Sequence, residues 1–219
     1  MGLTSNEKVT SQAASVLSNS EVSAGLKEAL ANGVESAINT LGKSGGFMGN
    51  SLVQIPVPDS LSFVEKTARS LGQEKHVDEF VNTMNHSAEQ AVPEAATLLA
   101  NAIRAMSVED AMKILNGPDD AATQYFRKTS EAKLAERFRP IVEQATNKVG
   151  VTSAYKNLTA QALPTLASFG ASSESLDVDS YVTNKALDGL FTYIALEEKN
   201  IRETPAARAT DLLKKVFSQ

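Results

Sequence analysis

The chain has no cysteine, no tryptophan and only two histidines in 219 residues. The missing cysteine excludes disulfide frameworks, thiolate zinc sites and cysteine nucleophiles, and two histidines leave little room for a histidine-rich metal cluster. Aromatic residues make up 5% against an apolar fraction of 42%. The apolar content is therefore mostly Ala, Leu, Val and Ile, a composition suited to close helix packing. Positive charge is not in excess: the net charge is -5 and no long Lys/Arg run occurs. That balance argues against nucleic acid or an anionic membrane as the main partner. Nor does any stretch approach the roughly 20 apolar residues of a membrane span. The longest uncharged segment, Asn157 to Ser173, is broken by Pro164 and Gly170. The N-terminus, MGLTSNEKVTSQ, shows no basic-then-apolar export signal, and Asn6 stands where a myristoylation pattern needs Ser or Thr. A native N-terminus of this kind implies a cytoplasmic protein.

What is present is helical periodicity. The pattern predicts an all-α fold, a single-domain bundle of about eight helices over residues 20–219, behind a flexible Ser/Thr/Asn-rich segment at 1–19. Ser20 reads as the N-cap of a helix from Glu21 to Leu41, with Leu26, Leu30, Val34, Ile38 and Leu41 on one face. Beside them Gly25, Ala29, Gly33 and Ala37 form a stripe of small residues. A mid-helix Gly costs about 1 kcal/mol against Ala, so two in register imply a closely approaching neighbour. The glycines of 42–50, with Pro56 and Pro58, predict a hinge-like loop and then an extended segment near 52–57. Asp59 or Ser60 should cap a helix stopped by Gly72, and the long apolar pattern of 74–106 is kinked or broken at Pro93. Residues 92–106 are apolar on most of their circumference, which places them at the centre of the core. Ser107 and Asp110 resemble a capping box for a short helix to Leu115. Pro118, Asp119 and Asp120 begin another helix, and Ser130 opens a further one to Val149, bent or interrupted near Pro140. Thr152 or Ser153 starts the next, Asp177 caps a helix over 178–203, and a last helix, 206–217, carries Leu212, Leu213, Val216 and Phe217 on one side.

Several short motifs invite chemistry. Gly42-Lys43-Ser44 looks like the tail of a phosphate-binding loop, but the required upstream glycine is Ala37 and no strand precedes it. Asp177-Val178-Asp179 begins like a calcium loop, yet Val182 stands at its glycine position, so a helix cap fits better. His76 and His86 fall on different helix faces; His86 could join Glu89, or Asn82 and Glu79, in a carboxylate-assisted site. Glu109, Asp110, Asp119 and Asp120 surround two helix starts. They could bind a cation if those starts converge, or serve as caps and dipole complements. Arg127, Lys128, Arg137 and Arg139, interleaved with Tyr125, Phe126 and Phe138, form the one local basic concentration. Tyr125, Arg127, Arg137 and Arg139 are the candidates for a partner or ligand surface, against the alternative that the rings face the core and the cations pair locally. The triplets at Asn85 and Asn157 match glycosylation acceptors but fall in predicted helices.

The strings GLKEAL (25–30), VQIPVPDSL (53–61), NGPDDAATQYFR (116–127), RFRPIVEQA (137–145), ALDGLF (186–191) and DLLKKVF (211–217) resemble the bacterial family catalogued as domain of unknown function 4197. The resemblance covers essentially everything after residue 20. It implies an exported, periplasmic or membrane-tethered setting, since members carry an N-terminal export or lipoprotein-type signal; this sequence has neither that signal nor a lipid-accepting Cys. It supplies no activity, cofactor or catalytic residue. The residues themselves favour a non-catalytic helical binding or scaffolding protein, its partner a protein or an apolar small molecule. The alternatives are a cation-binding protein using the four carboxylates, an apolar-ligand carrier, or an enzyme built from Asp119, Asp120, Tyr125 and Arg127.

Overall fold

The computed structural model describes residues 18–150, 152–153 and 177–203, apart from the side chains of Phe63 and Val64. Residues 1–17 of the predicted flexible segment 1–19, most of the helix predicted from Thr152, and the helix predicted over 206–217 lie outside these residues. Among the described residues there are seven α-helices and two short 3-10 turns, and no strand.

Helix α1 (Asn19–Leu41) begins two residues earlier than expected, because Ser18 rather than Ser20 is the cap. The Ser18 hydroxyl accepts the Glu21 N–H at 3.3 Å and the Glu21 carboxylate accepts the Ser18 N–H at 2.8 Å, the reciprocal pairing of a capping box. The turn Asp59–Leu61 leads into α2 (Ser62–Ser70), and Gly72, at φ 74°, ends that segment in a conformation only glycine adopts freely. Pro93 makes a break: α3 (Glu74–Ala91) and α4 (Ala95–Ala105) are joined by a 3-10 turn, Val92–Glu94. Then come α5 (Val108–Leu115), α6 (Ala121–Lys148) and α7 (Val178–Glu203).

Four expectations are corrected. Helix α4 is not central: it buries Ala95, Leu99 and Ile103 along one stripe, and its remaining apolar residues are largely alanines too small to demand cover. The centre is α7, packed against α6, α1 and α3. Ser130 does not open a helix. It is buried inside the 28-residue α6, where the neighbouring Thr129 hydroxyl donates back to the Tyr125 carbonyl at 2.8 Å, so hydroxyl residues are accommodated without a break. Pro140 leaves α6 uninterrupted. Both Pro140 and Glu136 are exposed, so the carbonyl deprived of its helix partner meets water. Finally, the extended segment near 52–57 begins late: Val53 and Gln54 both donate to the Asn50 carbonyl in a turn, and irregular chain follows from 54.

The small-residue stripe does what its spacing implies. Gly25, Ala29, Gly33 and Ala37 are all buried. A Cβ on Gly33 would lie 3.3 Å from Glu197 Cβ and 3.3 Å from Ile201 Cδ1 of α7. One contiguous apolar cluster runs from Leu26 in α1 to Ile194 in α7 and includes the fully buried Phe47, Phe126, Phe138 and Phe191. Each such side chain contributes roughly 1.5–3 kcal/mol of transfer free energy.

Candidate functional site

Helix α3 carries two opposite kinds of polar residue. On its inner side sit Asn85, wholly buried, and Glu89, 4% exposed. Asn85 Oδ1 accepts the Ile55 N–H at 2.8 Å, while its Nδ2 donates to the Ile55 carbonyl at 2.9 Å and to Val81 at 2.9 Å. Glu89 Oε1 accepts the N–H groups of Phe47 at 3.0 Å and Met48 at 3.2 Å. The loop is held from α7 as well: Tyr181 donates to the Pro56 carbonyl at 3.1 Å, and Asn50 bonds to the Tyr193 hydroxyl. Phe47 and Ile55 are fully buried. Within the loop at 42–50, expected to be hinge-like, Phe47 belongs to the core, the N–H groups of Phe47 and Met48 are bonded to α3 and the Asn50 side chain to α7, so its second half is anchored, while Lys43, Ser44 and Met48 are exposed. Burial, with a smaller contribution from Asp59, raises the Tyr181 phenol above its ordinary value, so it stays a neutral donor.

On the outer side of α3, Lys75, Asp78, Glu79, Asn82, Thr83, His86 and Gln90 line a groove of about 600 Å3, closed on its far wall by Ala145, Lys148 and Val149 of α6 and the residue after it. The spacing of three, four and seven along α3 puts these residues on one face. His86 is oriented within it. Its Nδ1 lies 3.3 Å from Glu89 Oε2 and its Nε2 lies 2.9 Å from Gln90 Nε2. Because the Gln90 amide nitrogen donates to Nε2, the proton belongs on Nδ1, directed at the buried carboxylate. The Thr83 hydroxyl donates to the Glu79 carbonyl at 2.7 Å and is not aligned with a base. The groove thus offers fixed hydrogen-bonding groups of both signs and no activated nucleophile.

The four carboxylates proposed for a cation do not converge into a ligand set; among the described residues no group of three or more His, Cys, Asp or Glu side chains could hold a metal ion. Glu109 is exposed and pairs with Lys113 at 2.7 Å. Asp110 completes the capping box with Ser107, whose hydroxyl and N–H hold its carboxyl below the ordinary range. Asp120 accepts from the Gln124 amide at 2.9 Å, and Asp119 is exposed.

The partner-binding candidates divide. Tyr125 is half-buried, 3.4 Å from the Ala102 carbonyl, and burial, then the charge of Asp110, raises its phenol. Arg127 lies 4.5 Å above the Phe191 ring and pairs with Glu131 and Asp188. Arg139 pairs with Glu143 at 2.8 Å and Asp177 at 3.0 Å. Arg137 is exposed and has no ion-pair partner among the described residues. Three of the four are thus engaged in local structure.

Other motif readings resolve as structure. Asp177 is a cap, accepting the N–H groups of Asp179 and Ser180, and Asp179 accepts from the Thr146 hydroxyl at 2.7 Å. His76 is exposed beside Gln73. Asn85, one of the glycosylation-type asparagines, is inaccessible; the other, Asn157, lies outside the described residues.

Sequence reasoning passed over the buried Glu198 and the partly buried Arg202, a pair on α7 joined at 2.9 Å. Their signal was a carboxylate on the same helical stripe as Leu187, Leu190, Ile194 and Ile201, where a charge is buried only if it has partners.

Compared with known proteins, the chain matches the model described as protein of unknown function (DUF4197) over residues 16–218. No curated protein and no solved structure matches it. A match of that extent takes in every helix described above, and the chain therefore belongs to the DUF4197 family, whose function is unknown.

Proposed function

We propose that the chain is a non-catalytic helical binding protein and that the α3–α6 groove receives its partner, an extended segment of another protein. The observation that carries this reading is the continuous polar face of α3: eight of the ten residues lining the groove are polar or charged. The groove is open to solvent and its wall is mostly the carbon stems of these side chains with their polar ends along them, a surface that suits an extended peptide better than a small molecule, which needs enclosure. The non-catalytic part rests on how the acids are used. Glu89 and Glu198 accept backbone N–H groups, and Asp110 and Asp177 cap helices. Catalysis by carboxylates needs such groups within reach of a reacting atom instead. The periplasmic setting implied by the family resemblance belongs to the same reading, and fractionation of the source cells tests it.

The binding reading is tested with a photo-crosslinking residue in place of Asn82, in the full chain and in its native cells. A discrete adduct is expected, and it should be lost when His86→Ala and Gln90→Ala are added. The same crosslinker at Lys133, exposed on α6, should give no adduct. No adduct at Asn82, or the same adducts from both positions, would overturn the reading.

A further inference from the structure

The outward side of α1 is a ridge of Glu28, Ala31, Asn32, Glu35 and Asn39, all exposed. A groove of about 480 Å3 follows one flank of this ridge, between α1 and α4, with Val34, Ile38, Ala96, Ala100 and Ile103 in its walls and Arg104 at its rim. The two helices run antiparallel there, since Lys27 near the start of α1 donates to the Arg104 carbonyl at the end of α4. A second, smaller groove of about 250 Å3 lies on the other flank, between α1 and α7.

The α1–α4 groove is open along its length and walled by small and aliphatic side chains, so it cannot enclose most of a small ligand's surface as a carrier site must. Its form suits a row of short side chains from another helix, the way ridges enter grooves when helices pack with axes about 8–10 Å apart. Ala31 is the short side chain at the middle of the α1 ridge, with Glu28 and Glu35 before and after it on the same side to reach the groove rim. Ridge and groove lie side by side on one face, which is what an isologous contact requires: each copy offers the same ridge and the same groove, exchanged by a two-fold axis.

The charges agree with that exchange. Glu28 and Glu35 on the ridge, and Arg104 on the groove rim, take part in no ion pair among the described residues; the Arg104 guanidinium bonds only to the Asn101 amide oxygen there. A two-fold axis in the plane of the contact, bisecting the line from Glu35 to Arg104, lays each over the opposite charge of the second copy.

We infer that the α1–α4 face is a homodimer interface, in which the α1 ridge of each copy seats in the α1–α4 groove of the other and Glu35 of one copy pairs with Arg104 of the second. This does not depend on the α3–α6 groove, which uses other helices, so either reading can fail alone.

Sedimentation velocity of the full chain across the micromolar range tests it. A reversible dimer is expected. Glu35→Arg and Arg104→Glu should each weaken association by about tenfold or more, and the double exchange should restore it. Ala100→Glu, which puts a charge in the groove, should leave only monomer. Circular dichroism reports whether each variant keeps its helices; if Ala100→Glu does not, Ala100→Gln takes its place. A parent protein that stays monomeric throughout would overturn the inference, and so would a dimer insensitive to all of these changes or a double exchange no better than the single ones.

Discussion

Glu198 of α7 caps α6 at Thr123, whose backbone N–H and hydroxyl both donate to Oε2, at 2.9 and 3.0 Å. The other oxygen accepts the Ala122 N–H and one Arg202 nitrogen, each at 2.9 Å. Arg202 in turn donates to the Ile114 and Leu115 carbonyls at the end of α5. A single ion pair therefore satisfies the free N–H groups of one helix start and the free carbonyls of another helix end. Asp120, at the N-cap position of α6, makes no capping bond.

Removing Glu198 should be costly, because Arg202 loses its counter-ion and two helix N–H groups lose their acceptor together. Glu198→Ala is expected to lose about 3–5 kcal/mol, read as a lower urea midpoint with an unchanged slope. Glu198→Gln, which keeps one acceptor, should lose less. A Glu198→Ala protein within about 1 kcal/mol of the parent would mean that this junction is held by packing alone.

The difference between Asp120 and Glu198 shows where sequence reading stops. Helix existence, the Ser107–Asp110 box, the Asp177 cap and the close approach along Gly25 to Ala37 are local patterns with a fixed period or spacing, and all were legible. The Glu198 cap spans 75 residues to Thr123, and no local rule favours it over the acids beside the helix start. The same holds for Asn85 and Ile55, 30 residues apart. Each was visible only as a polar residue on a helix's apolar stripe, a sign that a partner must exist without naming it. The α3 groove was harder still, since Ala145 and Lys148 complete it only after α6 is known to be one helix.

Gly189 is the point where α7 meets the loop. A Cβ there would lie 2.7 Å from Phe47 Cε1 and 3.2 Å from Val53 Cβ. Alanine would favour the helix by about 1 kcal/mol, yet overpacking a filled site costs about 1–3 kcal/mol. Gly189→Ala should therefore destabilise, and Phe47→Leu in the same chain should recover part of the loss, because contacting sites are not additive. Thermal unfolding of the two single variants and the double variant decides it; simple additivity, or a stabilised Gly189→Ala, contradicts the packing.

Asn85→Ala should release the loop without unfolding α3. The Ile55 N–H and carbonyl would both lose their buried partner, at about 1–3 kcal/mol for each unsatisfied group. Amide hydrogen exchange at Ile55 should accelerate by more than that at Phe47 and Met48, whose N–H groups Glu89 still holds. Equal acceleration at all three would show that the two anchors open as one unit.

Asp177 gives stability a defined acid limb. Burial disfavours its charge, but bonds from the Ser180 hydroxyl and N–H, the Arg139 guanidinium and the Asp179 N–H outweigh that and hold the carboxyl below its ordinary value. The unfolded chain, with a value of about 3.9, takes up the proton first as pH falls. The contribution is thus complete above the unfolded value and disappears as pH drops through the folded one. At neutral pH Asp177→Asn, which gives up the pairing with Arg139 and the favourable charge at the α7 N-terminus, should be less stable by about 0.5–1 kcal/mol. Paired urea titrations at neutral pH and below about pH 4 should show the gap closing in acid. A gap that stays constant or widens there would assign the loss to the amide's geometry and leave the carboxylate's charge without a role.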